Sequence, residues 1–187
     1  MRLAEHKELK AEIKSLPEKE KDKLLLRLIA KDKVLTEHLH FMLLENEDDL
    51  ASRFVKLTDD IGAALAELKT KKHNAKETLF KVRKLVGMIN HHFKVTKDIM
   101  TDLELRIHLL QNVPIDFREG LFSPMHKFNE KLYVYFVKAV VSTLTKMRKL
   151  HEDVQFDLRE AINNILTKTY AHKTASIAEE LGVPKAL

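Results

Sequence analysis

The amino-acid sequence predicts an all-α protein, and three observations carry this prediction. Between Pro17 and Pro114 lie 96 residues without proline, and they contain two glycines, Gly62 and Gly87. Proline breaks helix interiors, and glycine costs about 1 kcal/mol there relative to alanine. Apolar residues recur at spacings of three and four, the period of one helix face. With 44% hydrophobic residues in a chain of 187, we expect one folded domain of seven or eight helices.

The first three helices are short. One is expected over residues 3–14, and Ser15 is predicted to cap the next, because Pro17 and Glu18 complete a capping box. That second helix is rich in leucine. A tight connection at Lys31 and Asp32 leads to a third helix, which ends near residue 45.

The fourth helix has the most regular apolar pattern. It starts in the acidic segment 46–49, which matches the positive end of a helix dipole. The apolar positions are Leu50, Phe54, Leu57, Ile61, Ala64 and Leu68. This seam fits a helix that packs inside a bundle, and it also fits an interface between two subunits.

The middle of the chain predicts two further helices and a loop. Asn74 is expected to cap a helix that buries residues such as Leu79 and Ile89, and Thr96 to cap a helix reaching about residue 111. The segment 112–123 contains Pro114 and is the place where a boundary between subdomains is expected.

The last third predicts a long helix and two shorter ones. Ser123 is expected to cap a helix over 124–150 that is central to the fold, because residues 132–141 are apolar on nearly all sides. A helix over 154–170 follows. Thr174 should cap the last one, which stops at Gly182.

These helices can be grouped as three helix–turn–helix units over residues 16–45, 76–111 and 124–170. In the last unit, Leu144, Met147 and Leu150 precede an acidic turn and an apolar helix that begins at Val154. Residues 144–166 resemble a HEAT-type helical repeat. The resemblance implies a scaffold with a concave binding face and implies no chemistry. An ordinary helical bundle is the alternative architecture.

The candidate catalytic and metal-binding residues form no complete set. The chain has no cysteine, and the acidic pairs Asp48/Asp49 and Asp59/Asp60 point to different helix faces because their members are adjacent. Ten histidines suggest metal, yet Glu-x-x-His occurs once, at Glu37 and His40, where a di-metal bundle needs such pairs on facing helices, and His-Glu-x-x-His does not occur. The nearest pairs are His126 with Glu130, Glu104 with His108, and His38 with His40. We therefore expect no enzyme, no cofactor and no metal, and keep a metal-dependent helical enzyme as the second alternative.

A basic segment is the strongest functional clue. Residues 69–97 contain nine Lys/Arg and one acid, Glu77, a balance of +8 in a chain of net charge +5. On one continuous helix, six of these cations would share a stripe: Lys69, Lys72, Lys76, Arg83, Lys94 and Lys97. Such a stripe would bind an acidic protein or a phosphate backbone, or would simply be solvated. Few aromatic residues interrupt the segment, so stacking of single-stranded bases is not expected from it.

The leading function is thus a non-enzymatic interaction or structural protein with a protein partner, including itself as a homo-oligomer. A weak, sequence-indifferent nucleic-acid binder is the alternative. We infer no small-molecule substrate. The charged N-terminus lacks the apolar core of a signal peptide, and the apolar segment 132–141 contains Lys138 and is too short to span a bilayer. We therefore expect a cytoplasmic protein with no membrane partner.

Overall fold

The structure, a computed structural model, describes residues 5–70, 74–117 and 126–187, apart from the side chains of Thr70 and His126. The described residues form nine helices and no strand, which confirms the all-α prediction. The helices are α1 (Lys7–Ser15), α2 (Glu18–Ile29), α3 (Lys33–Leu44), α4 (Glu47–Thr70), α5 (Ala75–Thr96), α6 (Ile99–Asn112), α7 (His126–Met147), α8 (Glu152–Tyr170) and α9 (Ala175–Glu180).

The chain divides into two compact units, Met1–Glu45 and Asn46–Leu187. Both sides of the predicted boundary loop 112–123 belong to the second unit, and residues 118–125 of that region lie outside the described ones. The prediction of one domain with a boundary in this loop stays a prediction.

The first unit has no core in its described part, residues 5–45. Its helices α2 and α3 pack as a hairpin, in which the Thr36 hydroxyl donates a hydrogen bond to the carbonyl of Ile29 at 3.0 Å. None of the described residues of this unit is buried. The exposed fraction is 65% for Leu26, 72% for Leu43 and 73% for Leu44. Two short helices can cover only a narrow strip of each other, and most of the apolar surface remains in water.

The second unit has a dense core around α6. Helices α4, α5, α7 and α8 all pack against α6, and α9 packs against α7 and α8. Leu103 and Leu105 of α6 are fully buried, as are Val137 and Leu132 of α7. Helix α7 corresponds to the long helix predicted for 124–150, and it contacts α5, α6, α8 and α9. One of its sides is solvent-facing, since Lys138 is exposed and Val134 and Tyr135 are only half-buried. This strip is the part of α7 that the described residues leave partly uncovered.

The apolar seam of α4 packs inside the second unit. Ile61 and Leu68 are buried, and Phe54, Leu57 and Ala64 pack partly buried against the same core. Helices α5 and α6 of the same chain cover this side of α4. Helices of the same chain thus cover the seam, and this favours packing inside a bundle over an interface between subunits.

Two of the predicted helix-end signals are confirmed. The Asn74 side chain accepts a hydrogen bond from the backbone N–H of Glu77 at 3.0 Å. Gly182 ends α9 in the left-handed region, with φ of 64°, and the Val183 N–H reaches back to the carbonyl of Ala178 at 2.9 Å. This is the pattern of a glycine-terminated helix, in which the left-handed residue satisfies the last carbonyls.

Two other cap predictions are wrong, and in both the observed cap lies two residues after the predicted one. Ser15 ends α1, and its hydroxyl donates to the Glu12 carbonyl at 2.8 Å instead of capping α2. Thr96 ends α5, and Asp98 caps α6 by accepting from the Thr101 N–H at 2.7 Å. A carboxylate placed next to the first turn is a stronger cap than a threonine hydroxyl. Thr174 precedes α9, but its hydroxyl donates to the carbonyl of Thr169. Ser123 lies outside the described residues.

A buried ionic network joins α5, α6 and α7. Asp102 is fully buried, and its Oδ2 accepts from Arg106 Nε at 2.9 Å and from Lys146 Nζ at 2.5 Å. Arg106 also donates to the Asn90 side chain, and the Lys146 ammonium lies 4.3 Å from the centre of the Phe93 ring. Asp102 Oδ1 has no hydrogen-bond partner among the described residues. A buried charge requires such partners, so the network holds the three helices in a fixed register.

The C-terminal end of α6 is closed by a lysine from α8. Lys168 Nζ donates to the carbonyls of Leu110, Gln111 and Val113 at 2.9, 2.9 and 2.6 Å. These carbonyls have no partner within α6 and carry the negative end of its dipole, so an ammonium is well placed there. Burial lowers the pKa of Lys168 to about 8, and the nearby Lys69 charge contributes.

Candidate anion-binding groove

The predicted basic stripe does not form one continuous helix face. Helix α4 ends at Thr70 and α5 begins at Ala75, so the six cations do not lie on the one continuous helix that a shared stripe would need. Lys69 belongs to α4, where its ammonium lies 3.4 Å from the Asn112 side-chain oxygen. Lys97 lies beyond the end of α5 in the left-handed region. Lys72 lies outside the described residues.

Three of the predicted residues do share a face on α5. Lys76, Arg83 and Lys94 are exposed and follow one another at spacings of 7 and 11, which bring them to nearly the same angle around the helix. Phe80 lies on the same side, with 56% of its surface exposed. The cationic face is therefore shorter than predicted and includes an exposed aromatic ring.

Helix α7 lies beside this face and adds cations of its own. Lys127, Lys131 and Lys138 are exposed at spacings of 4 and 7, so they form a second stripe. Helices α5 and α7 together hold nine Lys/Arg and two acids, Glu77 and Glu130, for a formal balance of +7. Since the whole chain carries +5, the remainder is slightly acidic. The positive charge of this protein is concentrated on two adjacent helices.

A groove of about 590 Å³ runs between the two helices. We call it the α5–α7 groove, and three cations and three aromatic rings line it: Arg83, Lys131, Lys138, Phe80, Phe128 and Tyr135. Leu79 and Val134 complete its apolar lining, and Glu130 is the one acid among the lining residues. This volume lies within the usual range for ligand sites, but the groove is open along its length.

Two contacts between cations and rings fix the alignment of the helices. The Lys76 ammonium lies 5.5 Å from the centre of the Phe128 ring, and the Arg83 guanidinium lies 5.4 Å from the centre of the Tyr135 ring. From the first contact to the second, the residue number rises by seven on both helices. Helices α5 and α7 therefore run in the same direction. The two contacts lie about 10.5 Å apart along the helices, because an α-helix rises 1.5 Å per residue.

The groove cations are electrostatically available. Within the described residues, Arg83, Lys131 and Lys138 form no ion pair with a carboxylate. By contrast, Lys81 on the inner side of α5 pairs with Glu67, and Lys146 on α7 pairs with Asp102. Burial raises the pKa of Tyr135, and the Arg83 charge opposes this rise. The Tyr135 side chain is therefore a neutral phenol at physiological pH.

The aromatic and α7 residues of the groove were missed by sequence reasoning. The predicted segment ended at residue 97, and the partner helix begins 29 residues later, at His126. A signal for it existed in the sequence: Phe128/Tyr135 and Lys131/Lys138 each have a spacing of seven, which matches the spacing of Lys76 and Arg83. Matching seven-residue spacings on two helices indicate that they can pack side by side with repeated contacts.

The residues considered for metal binding do not converge. Among the described residues, no group of three or more His, Asp or Glu side chains could hold a metal ion. Glu104 and His108 lie one turn apart on α6, and burial together with the Asp98 charge raises the pKa of Glu104. His108 Nε2 is buried and has no hydrogen-bond partner in the described part of the chain. The side chain of His126 lies outside the described residues, and the pairing of His126 with Glu130 stays a prediction.

The protein has no detectable match among known families. No family model matches the chain, and no curated protein or solved structure is similar to it. The resemblance of residues 144–166 to a HEAT-type repeat therefore stays a prediction. Among the described residues, no helix is long and apolar enough to span a bilayer.

Proposed function

We propose that this protein is a non-enzymatic interaction protein that binds an anionic partner through the α5–α7 groove. The observation that carries the proposal is that the three cations of the groove, Arg83, Lys131 and Lys138, form no ion pair with a carboxylate among the described residues. They lie on two adjacent helices whose formal balance is +7. Uncompensated cations that share one groove raise the local concentration of anions and strengthen their binding. The apolar lining adds a surface from which a bound partner can exclude water.

The test is polyanion binding at low salt with two matched triple variants. The groove variant is Arg83→Gln/Lys131→Gln/Lys138→Gln. The control is Lys56→Gln/Lys149→Gln/Lys173→Gln, which removes the same charge from exposed positions outside the groove. Fluorescence anisotropy would use two probes, a labelled poly-glutamate peptide and a labelled oligonucleotide.

We expect the wild-type protein and the control to bind at least one of the two probes, with affinity falling as salt is added. The groove variant should lose most of this binding. The absence of binding to both probes at low salt would contradict the proposal. So would equal losses in the two variants, because binding would then follow net charge rather than the groove.

Self-association is the second candidate function, and the exposed leucines of the first unit favour it. Leu26, Leu43 and Leu44 are each more than half exposed, and none of the described residues of 5–45 is buried. The occupant that we propose is a second copy of the hairpin α2–α3, because two hairpins can form a four-helix bundle. Acids and lysines alternate over residues 18–23, so two copies can pair without bringing like charges together.

Light scattering at tens of micromolar tests this second candidate. We expect a dimer or larger assembly for the wild-type chain and a monomer for Leu26→Gln/Leu43→Gln. The control is Phe156→Gln, which removes an apolar side chain that is 72% exposed in the second unit. A monomeric wild-type protein would contradict self-association and leave the proposal on the groove untouched.

A further inference from the structure

We infer that the anionic partner of the α5–α7 groove is a single-stranded nucleic acid whose bases stack on the aromatic rings of the groove. The inference rests on the proposed function and goes further by naming the class of partner. It starts from the alternation of cations and rings along the groove, which charge alone does not require.

Phe80 is the first observation. Its ring lies on the groove lining and is 56% exposed. Among the described residues, no cation lies over it, in contrast to Phe128 and Tyr135. An exposed phenylalanine by itself indicates no ligand, since Phe156 is 72% exposed outside the groove. Phe80 differs because it lines the groove together with three cations, where a ligand that has both an anionic group and a flat apolar face, as a nucleotide has, can contact both.

The arrangement of the cations is the second observation. Arg83 lies against Tyr135, and Lys76 and Lys131 lie against Phe128, each 5.4 to 5.6 Å from the ring centre. Phe128 and Tyr135 are therefore each accompanied by a cation that can reach a phosphate, and the ring of Phe80 is left uncovered for a base. The two contacts repeat at about 10.5 Å along the helices. A strand lying along the groove would meet alternating sites for bases and for phosphates.

The rings also discriminate between classes of anion. Bases in a duplex are stacked on each other, so a ring in a surface groove can reach them only when they are unpaired. An acidic peptide could use Arg83, Lys131 and Lys138, but its carboxylates have no face to stack on Phe80. The observations therefore favour single strands over duplexes and over acidic proteins.

The experiment compares three probes on one set of variants. The probes are a 20-nucleotide poly-thymidine strand, a duplex of the same length and a poly-glutamate peptide. The ring variant is Phe80→Ala. Its control is Phe156→Ala on α8, another exposed phenylalanine that lies outside the groove. The charge variant is the groove triple variant described above.

We expect the single strand to bind at least tenfold more tightly than the duplex. Phe80→Ala should weaken single-strand binding about tenfold, which is about 1.4 kcal/mol and within the range for one stacked base. Phe156→Ala should change it less than twofold. The charge variant should reduce the slope of log affinity against log salt by about 2, since each phosphate contact on a single strand contributes about 0.7.

A spectroscopic readout separates stacking from a change in folding. The chain contains no tryptophan, so Phe80→Trp places a single reporter in the groove and Phe156→Trp places one outside it. Stacking of a base should quench the emission of the first and leave the second unchanged.

The outcomes distinguish this inference from the proposed function. If poly-glutamate or the duplex binds as tightly as the single strand, or if Phe80→Ala has no effect, the inference is overturned and the anion-binding groove stands. If none of the three probes binds at low salt, both the inference and the proposed function are contradicted. If the single strand is preferred, Phe80→Ala weakens it and Phe80→Trp is quenched, both are supported.

Discussion

Residues 5–45 and residues 46–187 are made of helices with similar composition, yet only the second region has a core. Helix α2 contains four leucines and an isoleucine in twelve residues, and none of them is buried. Helix α6 has fourteen residues, and seven of them are buried. Because α6 is surrounded by four other helices and α2 forms a two-helix hairpin, the number of neighbours decides burial more than the apolar content of a helix.

Core truncation should give the largest difference between the two regions. Phe136 is 2% exposed and Leu43 is 72% exposed. Phe136→Ala should lower the free energy of unfolding by about 4 kcal/mol through lost transfer energy and the cavity left behind. Leu43→Ala should change it by less than about 0.5 kcal/mol, as is usual for surface positions. Urea unfolding followed by circular dichroism, at low protein concentration, measures both. Comparable losses would show that Leu43 is buried in solution.

The next largest effect should come from the buried ionic network. Asp102→Asn leaves Arg106 and Lys146 without their carboxylate and should cost about 3 kcal/mol. In the first region, His40→Gln removes a hydrogen bond to Glu45, and it should cost under about 1 kcal/mol because the His40 side chain is 58% exposed. Adding Arg106→Met and Lys146→Met to Asp102→Asn should recover much of the loss. If the triple variant were no more stable than Asp102→Asn, the unpaired charges of Arg106 and Lys146 would not be the cause of the loss.

Helix caps offer a smaller and more local test. Asp98 caps α6 and Asp32 caps α3, the latter by accepting from the Leu35 N–H at 3.1 Å. Asp98→Ala should lower the free energy of unfolding of the second region by about 1 kcal/mol. Asp32→Ala should leave the main urea transition in place and speed amide exchange over residues 33–44, because α3 lacks a core that would hold it. Slowed or unchanged exchange there would argue that other contacts hold α3.

The smallest expected effect is a pH dependence confined to the second region. His92 is buried against the Thr101 hydroxyl at 2.9 Å. Burial, with the Arg53 charge, lowers the pKa of His92 below its usual 6.5, although Asp98 and Asp102 oppose the shift. The unfolded chain therefore takes up a proton before the folded one does, and stability should fall as pH drops below about 6.5.

His92→Gln should reduce this loss of stability between pH 7 and pH 5. Urea midpoints at three pH values in that window measure it. His151→Gln is the parallel histidine variant, since the His151 side chain is 76% exposed. If His92→Gln kept the full pH dependence of the wild type, His92 would not be the group that causes it.

The sequence predicted the helices because their signals are local. Omission of proline, apolar spacing and caps such as Asn74 act within a few residues of one another. The errors were also local. Ser15 and Thr96 were predicted as caps, but α2 begins directly after Pro17 and α6 begins directly after Asp98.

The groove could be predicted only in part, because it depends on contacts between distant residues. Lys76, Arg83 and Lys94 were found from their spacing on one helix. Their neighbours Phe128 and Tyr135 lie about fifty residues further along the chain, and the sequence signal that α7 can lie beside α5 is the matching seven-residue spacing on the two helices. The lack of a core in residues 5–45 was missed for a similar reason, since an apolar helix pattern shows a face and does not show what covers it.

The lysine that closes α6 has a consequence for how the chain is made. Lys168 follows Val113 by 55 residues, so the last carbonyls of α6 have no ammonium until α8 has left the ribosome. At roughly 5–20 residues per second, this delay is about 3–11 s. During that time α6, the helix at the centre of the core, must persist with an open end, and factors that shield nascent chains would find it exposed. The C-terminal end of α6 is therefore completed only after α8 has been made.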